Sequence, residues 1–366
     1  MTPNTVLGRD WPKLVAMLGG AEALRSSAVE TKAFRRARKV ASAADLLRLV
    51  LAYCLGRGGL RLTAAWAGAI GLAELSNPAL LQRLRQCGDW LTLLIGQALA
   101  AGMPAPCRGR LIRLIDATSV PKAGAAARRG NRVWRIHAAF DLPAERFGAV
   151  QLTDGGTAER LDRIAVVPGE IRVADRAHLH PDAIANVCAD GADVVVRTGW
   201  KSARWRDAAD QPVRLPDLLR AATATGWIDQ PIWLARNDAA PLKLRLVARR
   251  KSDAEIAEAR RKVRRAAQRQ GEQPSQASLL AADWVMLITS LPANEYGTET
   301  VLLLYRLRWR IELAFKRLKS VVGLHGPPGK DDRSARPYLL AHLLTILLLE
   351  PLVDALEDSP RWAPAV

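Results

Sequence analysis

The stretch Tyr305-Arg-Leu-Arg308-Trp-Arg-Ile-Glu312, followed by Lys319, is the most informative part of this sequence. It lies in the segment 298–321, which contains neither Pro nor Gly and is therefore predicted to form one uninterrupted helix. At about 100° per residue, Tyr305, Arg308, Glu312 and Lys319 fall within roughly 60° of one another, along about 21 Å of helix axis. The predicted helix thus carries a line of polar groups on one side.

An apolar stripe runs beside this polar line, at the spacing of a helix face that packs on a core. Its members are Leu303, Leu304, Leu307, Ile311, Ala314, Phe315 and Leu318. A solvated helix with an ion pair between Arg308 and Glu312 is the ordinary interpretation of such a pattern. The composition of the chain and two aspartates upstream favour a functional interpretation instead.

The composition indicates a globular protein with an anionic partner. The chain has 366 residues, which predicts two or three domains, and 49% of them are hydrophobic. The net charge of +18 is typical of proteins that bind nucleic acid or an anionic membrane surface. The longest apolar run, residues 339–349, is too short for a bilayer and includes His342 and Thr345. With no signal-peptide core at the N-terminus, we expect no membrane partner and a cytoplasmic protein associated with the nucleoid.

The cysteine and glycine patterns argue against two other classes of protein. The four cysteines form no CxxC pair and have no histidine at metal-ligand spacing, which favours reduced, buried thiols over a zinc site. The Gly-Gly pairs at residues 58–59 and 155–156 lack the Lys-Ser/Thr of a phosphate-binding loop. We therefore expect no nucleotide cofactor.

The hydrophobic pattern divides the chain into five parts. Residues 1–105 are predicted to be helical, either as a DNA-binding domain or as a plain packing domain. Residues 106–197 contain three strands that could run as a meander, and then a strand, a helix and a strand. Residues 198–290 are rich in tryptophan and strand-like runs, and include a basic helix. Residues 291–349 contain the 298–321 segment, and residues 350–366 form a short tail. The basic helix carries Arg260, Arg261, Lys262, Arg264, Arg265 and Arg269.

Two aspartates follow apolar runs and are predicted to lie at strand ends. Asp116 follows residues 111–115, and Asp175 follows residues 171–174. Together with Glu312 they would supply the hard oxygen ligands that suit Mg²⁺ or Mn²⁺. Asp141 and Asp154 are interpreted as turn residues, and His137 and His178 as structural histidines.

The pattern Tyr-x2-Arg-x3-Glu-x6-Lys resembles the signature of the prokaryotic DDE transposases of the insertion-sequence-four family. The chain order of Asp116, Asp175 and then Glu312 after a long insertion also resembles this family. The resemblance implies an α/β fold, with a ribonuclease-H-like catalytic core interrupted by a mainly β insertion domain and preceded by a helical N-terminal domain. It also implies that Asp116, Asp175 and Glu312 are catalytic and bind two Mg²⁺ (or Mn²⁺) ions.

The same resemblance implies a set of DNA contacts. Tyr305, Arg308 and Lys319 would hold the transposon end, with Lys316 as a further contact. Trp284 would stack on a flipped base during a hairpin step, although the alternation around it also fits a core strand. The implied partners are double-stranded DNA, both inverted-repeat ends and target, and a second copy of the chain in a homodimer.

The function implied is metal-dependent DNA cleavage and strand transfer at terminal inverted repeats. Two alternatives stay open: a catalytically inactive DNA-binding derivative, and a metal-dependent nuclease of the same fold. The sequence departs from many relatives at Asp175-Arg176-Ala177-His178, where they have Gly-Tyr after the Asp-Arg pair.

Overall fold

The computed structural model describes most of the chain. The described residues are 7–8, 10–56, 59–101, 109–122, 133–142, 146–320 and 332–354. The backbone of Lys319 lies in this part, but its side chain is outside it, as is most of the tail expected at residues 350–366. None of the described helices combines the length and the apolar composition that a bilayer crossing requires.

Short helices form the N-terminal part, as the sequence predicts. They are α1 (Trp11–Met17), α2 (Gly20–Glu30), α3 (Ala43–Leu55), α4 (Gly59–Ala69), α5 (Asn77–Gln86) and α6 (Gly88–Ala101). The Ser42 hydroxyl accepts a hydrogen bond from the Asp45 backbone N–H at 3.0 Å and so caps α3. A long helix near the other end of the chain, α13 (Asp332–Asp354), packs against α3, α5 and α6. The two ends of the chain therefore share one hydrophobic core.

A mixed sheet of ten strands runs through the molecule, in the order β3-β2-β1-β4-β5-β10-β9-β8-β6-β7. The strands are β1 (Ile112–Pro121), β2 (Val133–Leu142), β3 (Arg146–Asp154), β4 (Ile171–Ala174), β5 (Asp193–Arg197), β6 (Trp205–Arg206), β7 (Pro212–Val213), β8 (Trp227–Leu234), β9 (Leu242–Arg250) and β10 (Trp284–Thr289).

The first five strands follow the order predicted from the sequence. β1, β2 and β3 form an antiparallel meander, while β4 pairs parallel with β1 and β5 pairs parallel with β4. The helix between β4 and β5 is α7 (Pro181–Ala189). Because β1, β4 and β5 are parallel, their carboxyl ends face the same edge of the sheet, where side chains from different strands can meet.

The strands of residues 198–290 extend this same sheet. β10 pairs antiparallel with β5 on one side and with β9 on the other, so no gap separates the two groups of strands. The helices of this region are α8 (Leu215–Ala221), α9 (Asp253–Arg269) and α10 (Gln276–Ala282). The sheet separates two hydrophobic clusters: one includes residues of α3, α6 and α13, and the other includes residues of α7 and α8.

The prediction of one uninterrupted helix over residues 298–321 is wrong. The segment forms α11 (Thr298–Arg306) and α12 (Trp309–Ser320), separated by a turn at Leu307 and Arg308. The N–H groups of Arg308 and Ile311 bond to carbonyls three residues earlier, which interrupts the α-helical ladder. The reason is tertiary: α11 contacts β4, β5 and β9, whereas α12 contacts β1 and α13. Each helix packs its own apolar residues on a different part of the sheet.

A buried network of charges ties β1, β2 and β4 together. Arg113 pairs with Asp141 at 2.7 Å and with Glu170 at 3.0 Å, and Arg172 pairs with Glu170 at 2.6 Å. The interpretation of Asp141 as a turn residue is therefore wrong, because it is 1% exposed and is the buried partner of Arg113. Gly148 lies against it, and a Cβ there would overlap the Asp141 carboxylate. Asp154, at the end of β3, pairs with Lys122 at 2.5 Å.

Candidate active site

Asp116 lies in the middle of β1, not at its end as expected. The strand continues to Pro121 because β1 stays paired with β2 over its whole length. The parallel pairing with β4 stops earlier, at Ile115 and Ala174. Asp116 is therefore the first residue of β1 beyond that pairing, next to the position where the chain leaves β4. Its side chain is 17% exposed, and its Oδ1 accepts a hydrogen bond from the Ala117 N–H at 2.8 Å.

Asp175 follows β4 directly, as predicted, and caps the single 3₁₀ turn at Arg176–His178. Its Oδ1 accepts a hydrogen bond from the Ala177 N–H at 2.8 Å and lies 3.3 Å from the Nδ1 of His178. The hydrogen bond with His178 lowers the pKa of Asp175 from its ordinary value, with a further contribution from the backbone N–H. Asp175 is therefore held as a carboxylate at the end of its strand.

Glu312 lies in the first turn of α12 and reaches the same region through Arg308. The Arg308 guanidinium is 2.7 Å from Glu312 Oε1 and 3.9 Å from Asp116 Oδ2. Its central carbon lies 5.7 Å from the centre of the Tyr305 ring. Arg308 thus lies between Asp116 of β1 and Glu312 of α12, with the Tyr305 ring beside its guanidinium. The contact between Arg308 and Glu312 is kept although the helix is broken between α11 and α12, because Arg308 directly precedes α12 and Glu312 lies in its first turn.

Burial is the main influence on the electrostatics of the site. The pKa of Asp116 is raised from 3.8 to about 6, mainly because the carboxyl group is buried and to a smaller extent because of Asp175, while Ala117, His178 and Arg308 act in the opposite direction. Burial acts to lower the pKa of Arg308, but its interactions with Tyr305 and Glu312 leave that pKa raised. Perturbed carboxylates in one cluster are typical of functional sites.

A second group of side chains adjoins Asp175 and was not predicted as a site. Ligand atoms of Glu159, Asp175 and His178 all lie within 4.8 Å of one another. Glu159 follows β3 in a loop, and no motif in the sequence distinguishes it from other surface acids. Because its relation to Asp175 arises from strand pairing, only the three-dimensional structure reveals it. His178, which the sequence suggests to be a structural histidine, is almost fully buried.

The remaining predicted contacts have different surroundings. Lys316 is exposed on α12, one turn beyond Glu312, and Lys319 follows on the same helix with its side chain outside the described part. Trp284 is 2% exposed and belongs to the hydrophobic cluster on the other face of the sheet, together with Met286 and Ile288. This burial favours the alternative interpretation of Trp284 as a core residue. Its stacking on a flipped base stays a prediction.

The cations of the basic helix α9 fall into two groups, those in ion pairs and those exposed without one among the described residues. Arg260 donates two hydrogen bonds to Asp283, at 2.7 and 2.6 Å, and Arg261 and Lys262 pair with Glu258. Arg264, Arg265 and Arg269 are exposed, and no ion pair joins them to another described residue. These three cations are available to an anionic partner.

Comparisons with known proteins give the family. Residues 108–348 match the family model described as "Transposase DDE domain". The chain is 35% identical over 362 residues to "Putative transposase InsL for insertion sequence element IS186A" of Escherichia coli strain K12, covering 97% of each chain. It is also 35% identical over 365 residues to "Transposase for insertion sequence element IS421" of Escherichia coli, again covering 97% of each. The matched region contains Asp116, Asp175 and Glu312, and the chain belongs to the DDE transposase family.

Proposed function

We propose that this chain binds terminal inverted repeats and catalyses metal-dependent DNA cleavage and strand transfer. The observation that carries the proposal is the meeting of Asp116, Arg308 and Glu312 beside the end of β4, where Asp175 lies. The arrangement joins carboxylates from two strands and a helix with a cation that can bind a phosphate. The strand order β3-β2-β1-β4-β5 supports the ribonuclease-H-like core that the sequence predicts.

The chemistry of these side chains fits a divalent metal. Asp116 is largely buried and lies near Asp175, and its carboxylate offers oxygen atoms of the kind that such an ion binds. Asp116, Asp175 and Glu312 would hold two Mg²⁺ or Mn²⁺ ions, which prefer such oxygen ligands. When bound, the ions would activate the attacking water or 3′-hydroxyl and stabilise the leaving oxygen.

The surrounding side chains would hold the DNA. Arg308 offers a fork of donors for a backbone phosphate, Tyr305 a phenol, and Lys316 and Lys319 point charges further along α12. The exposed arginines of α9 and the N-terminal helices would bind DNA further from the scissile bond, in line with the net charge of +18. We propose inverted-repeat ends and target DNA as substrates, and a homodimer that brings two ends together. A hairpin route that uses Trp284 to stack on a flipped base would require this ring to leave the core in which it is buried.

The decisive experiment compares Glu312→Gln with Glu299→Gln on a plasmid that carries the inverted-repeat ends. Glu299 is an exposed acid in the first turn of α11, so the two variants make the same chemical change in the same segment. We expect Glu312→Gln to abolish Mg²⁺-dependent nicking while affinity for end DNA stays within about twofold. Glu299→Gln should nick at the unaltered rate. Nicking that persists in Glu312→Gln would overturn the assignment.

The same assay distinguishes the proposed function from its alternatives. The released 3′-hydroxyl end is labelled and supplied with target DNA, and joined product is measured. Strand transfer by the unaltered chain supports the transposase. Cleavage without joining would identify a nuclease, and binding without cleavage would identify an inactive DNA-binding derivative.

A further inference from the structure

We propose that Glu159 and His178 bind a divalent cation together with Asp175, so that the metal site contains an imidazole nitrogen as well as carboxylate oxygens. The inference rests on the proposed metal-dependent function and adds two ligands to the three carboxylates that the sequence predicts. Its consequence is a preference for Mn²⁺ over Mg²⁺. Imidazole suits transition metals, whereas Mg²⁺ favours oxygen ligands alone.

The three side chains come from separate positions in the chain and converge at one end of the sheet. Glu159 lies in the loop after β3, Asp175 follows β4, and His178 ends the 3₁₀ turn after it. Their ligand atoms lie within 4.8 Å of one another. Ligands bound about 2.1 Å from one ion are at most about 4.2 Å apart, so shifts of less than about 1 Å would bring all three to a common ion.

The spacing between Asp175 and His178 fits neighbouring ligands of one ion. His178 Nδ1 lies 3.3 Å from Asp175 Oδ1. Two adjacent ligands of an octahedral ion are about 3.0 Å apart if each bond is about 2.1 Å long. The same distance also fits a long hydrogen bond. Direct coordination by nitrogen is therefore the property that the experiment has to detect.

The donors are held in place before any ion arrives. The His178 side chain is 1% exposed, which fixes the ring. Arg135 lies 3.2 Å from the Glu159 carboxylate and also donates to the Thr157 carbonyl at 3.0 Å, so it anchors the loop that carries Glu159. The Glu159 side chain is only 22% exposed, although it is charged and lies in a loop. Arg135 thus holds Glu159 beside a buried histidine and a second acid, and the three side chains together offer one nitrogen and two carboxylates to a cation.

The position of this cluster connects it with the proposed catalytic carboxylates. Asp116 is the first residue of β1 beyond its pairing with β4, and Asp175 directly follows β4. Asp175 belongs to both groups of residues. An ion held by Glu159, Asp175 and His178 would therefore lie at the border of the site and orient the Asp175 carboxylate.

The test is the electron spin echo of Mn²⁺ bound to the full-length chain. We expect modulation from a directly coordinated nitrogen in the unaltered protein, and its loss in His178→Phe, which keeps a ring of similar size without a donor. His180→Gln is the matched control: His180 lies two residues further on and is not part of the cluster. It should keep the modulation. Affinity for Mn²⁺, measured from the signal of the free ion, should fall at least about tenfold in His178→Phe and in Glu159→Gln.

Several results would overturn the inference, and they differ from those that would overturn the proposed function. Bound Mn²⁺ without nitrogen modulation in the unaltered chain would exclude His178 as a ligand, and this measurement needs no variant that has to fold. Modulation that persists in His178→Phe would also exclude His178 as a ligand, and unchanged Mn²⁺ affinity in Glu159→Gln would exclude Glu159. Each of these results leaves the Glu312→Gln nicking assay untouched, whereas nicking by Glu312→Gln would count against the catalytic assignment alone.

Discussion

Asp116 and Arg308 lie 3.9 Å apart, carboxylate oxygen to guanidinium nitrogen, where β1 meets the turn between α11 and α12. Arg308 is also 2.7 Å from Glu312, so a single guanidinium connects a strand carboxylate with a helix carboxylate. This cation offsets part of the repulsion among acids that have to lie close together if they are to bind metal. It would also be well placed for a DNA phosphate.

We predict that Asp116→Asn stabilises the metal-free protein, by an amount that depends on pH. The pKa of Asp116 is about 6 in the folded chain against an ordinary 3.8, so the folded state binds the proton more tightly than the unfolded state does. Stability is therefore lost as the pH rises from about 4 to about 6, and it stays low above that. The Asp116→Asn variant should therefore have a free energy of unfolding higher by about 2–3 kcal/mol at pH 8, and higher by roughly half as much at pH 5.

Urea unfolding in the presence of a chelator measures this effect. Asp190→Asn is the control, because Asp190 is exposed after α7. A stabilisation that is equal at pH 5 and pH 8 would contradict the titration of Asp116 as its source. Adding Mg²⁺ should stabilise the unaltered chain more than Asp116→Asn, since the variant lacks one anionic ligand.

The exposed arginines of α9 should account for part of the salt dependence of DNA binding. Changing Arg264, Arg265 and Arg269 together to Gln should reduce the log–log slope of affinity against salt by about 2–3, or about 0.9 per phosphate contact. Arg260→Gln should leave the slope unchanged, because Arg260 is already engaged with Asp283. Fluorescence anisotropy with random-sequence duplexes at several salt concentrations measures these slopes. Equal slopes for the triple variant and the unaltered chain would show that α9 does not contact DNA.

Trp284→Ala should destabilise the whole protein rather than impair one step of transposition. Removing a large buried ring costs about 3–5 kcal/mol. Trp227→Ala should cost less than about 1 kcal/mol, since Trp227 is 38% exposed and its ring centre lies 5.5 Å from the central carbon of the Arg249 guanidinium. Chemical denaturation of both variants measures the difference. A stable Trp284→Ala that nicks normally but fails at second-strand processing would instead support the stacking role.

Glu170→Gln should be among the most destabilising single changes in the catalytic domain. Glu170 is 1% exposed and pairs with both Arg113 and Arg172, so the variant leaves two buried cations without their shared counter-charge. A cost of about 3–5 kcal/mol is expected. Glu258→Gln also breaks two ion pairs, but on the exposed face of α9, and should cost less than about 1 kcal/mol. Similar midpoints of thermal unfolding for the two variants would contradict this argument.

The sequence by itself determined the features that depend on local geometry. Arg308 and Glu312 meet because Arg308 directly precedes α12 and lies four residues before Glu312, the spacing at which side chains on a helical turn are neighbours. The capping box at Ser252 and Glu255 starts α9 for the same kind of reason. The meander and the following strand, helix and strand were also predictable, because alternating apolar residues indicate strands within the chain itself.

The tertiary structure decided what depends on the partners of each element. The turn at Leu307 and Arg308 exists because α11 and α12 pack on different strands, and no Pro or Gly marks it. Asp116 lies inside β1, yet beside the open end of β4, because pairing with β2 outlasts pairing with β4. The burial of Trp284 and the approach of Glu159 to His178 likewise follow from pairings between distant strands. Local periodicity gives the face on which a side chain lies, but only long-range packing decides what covers that face.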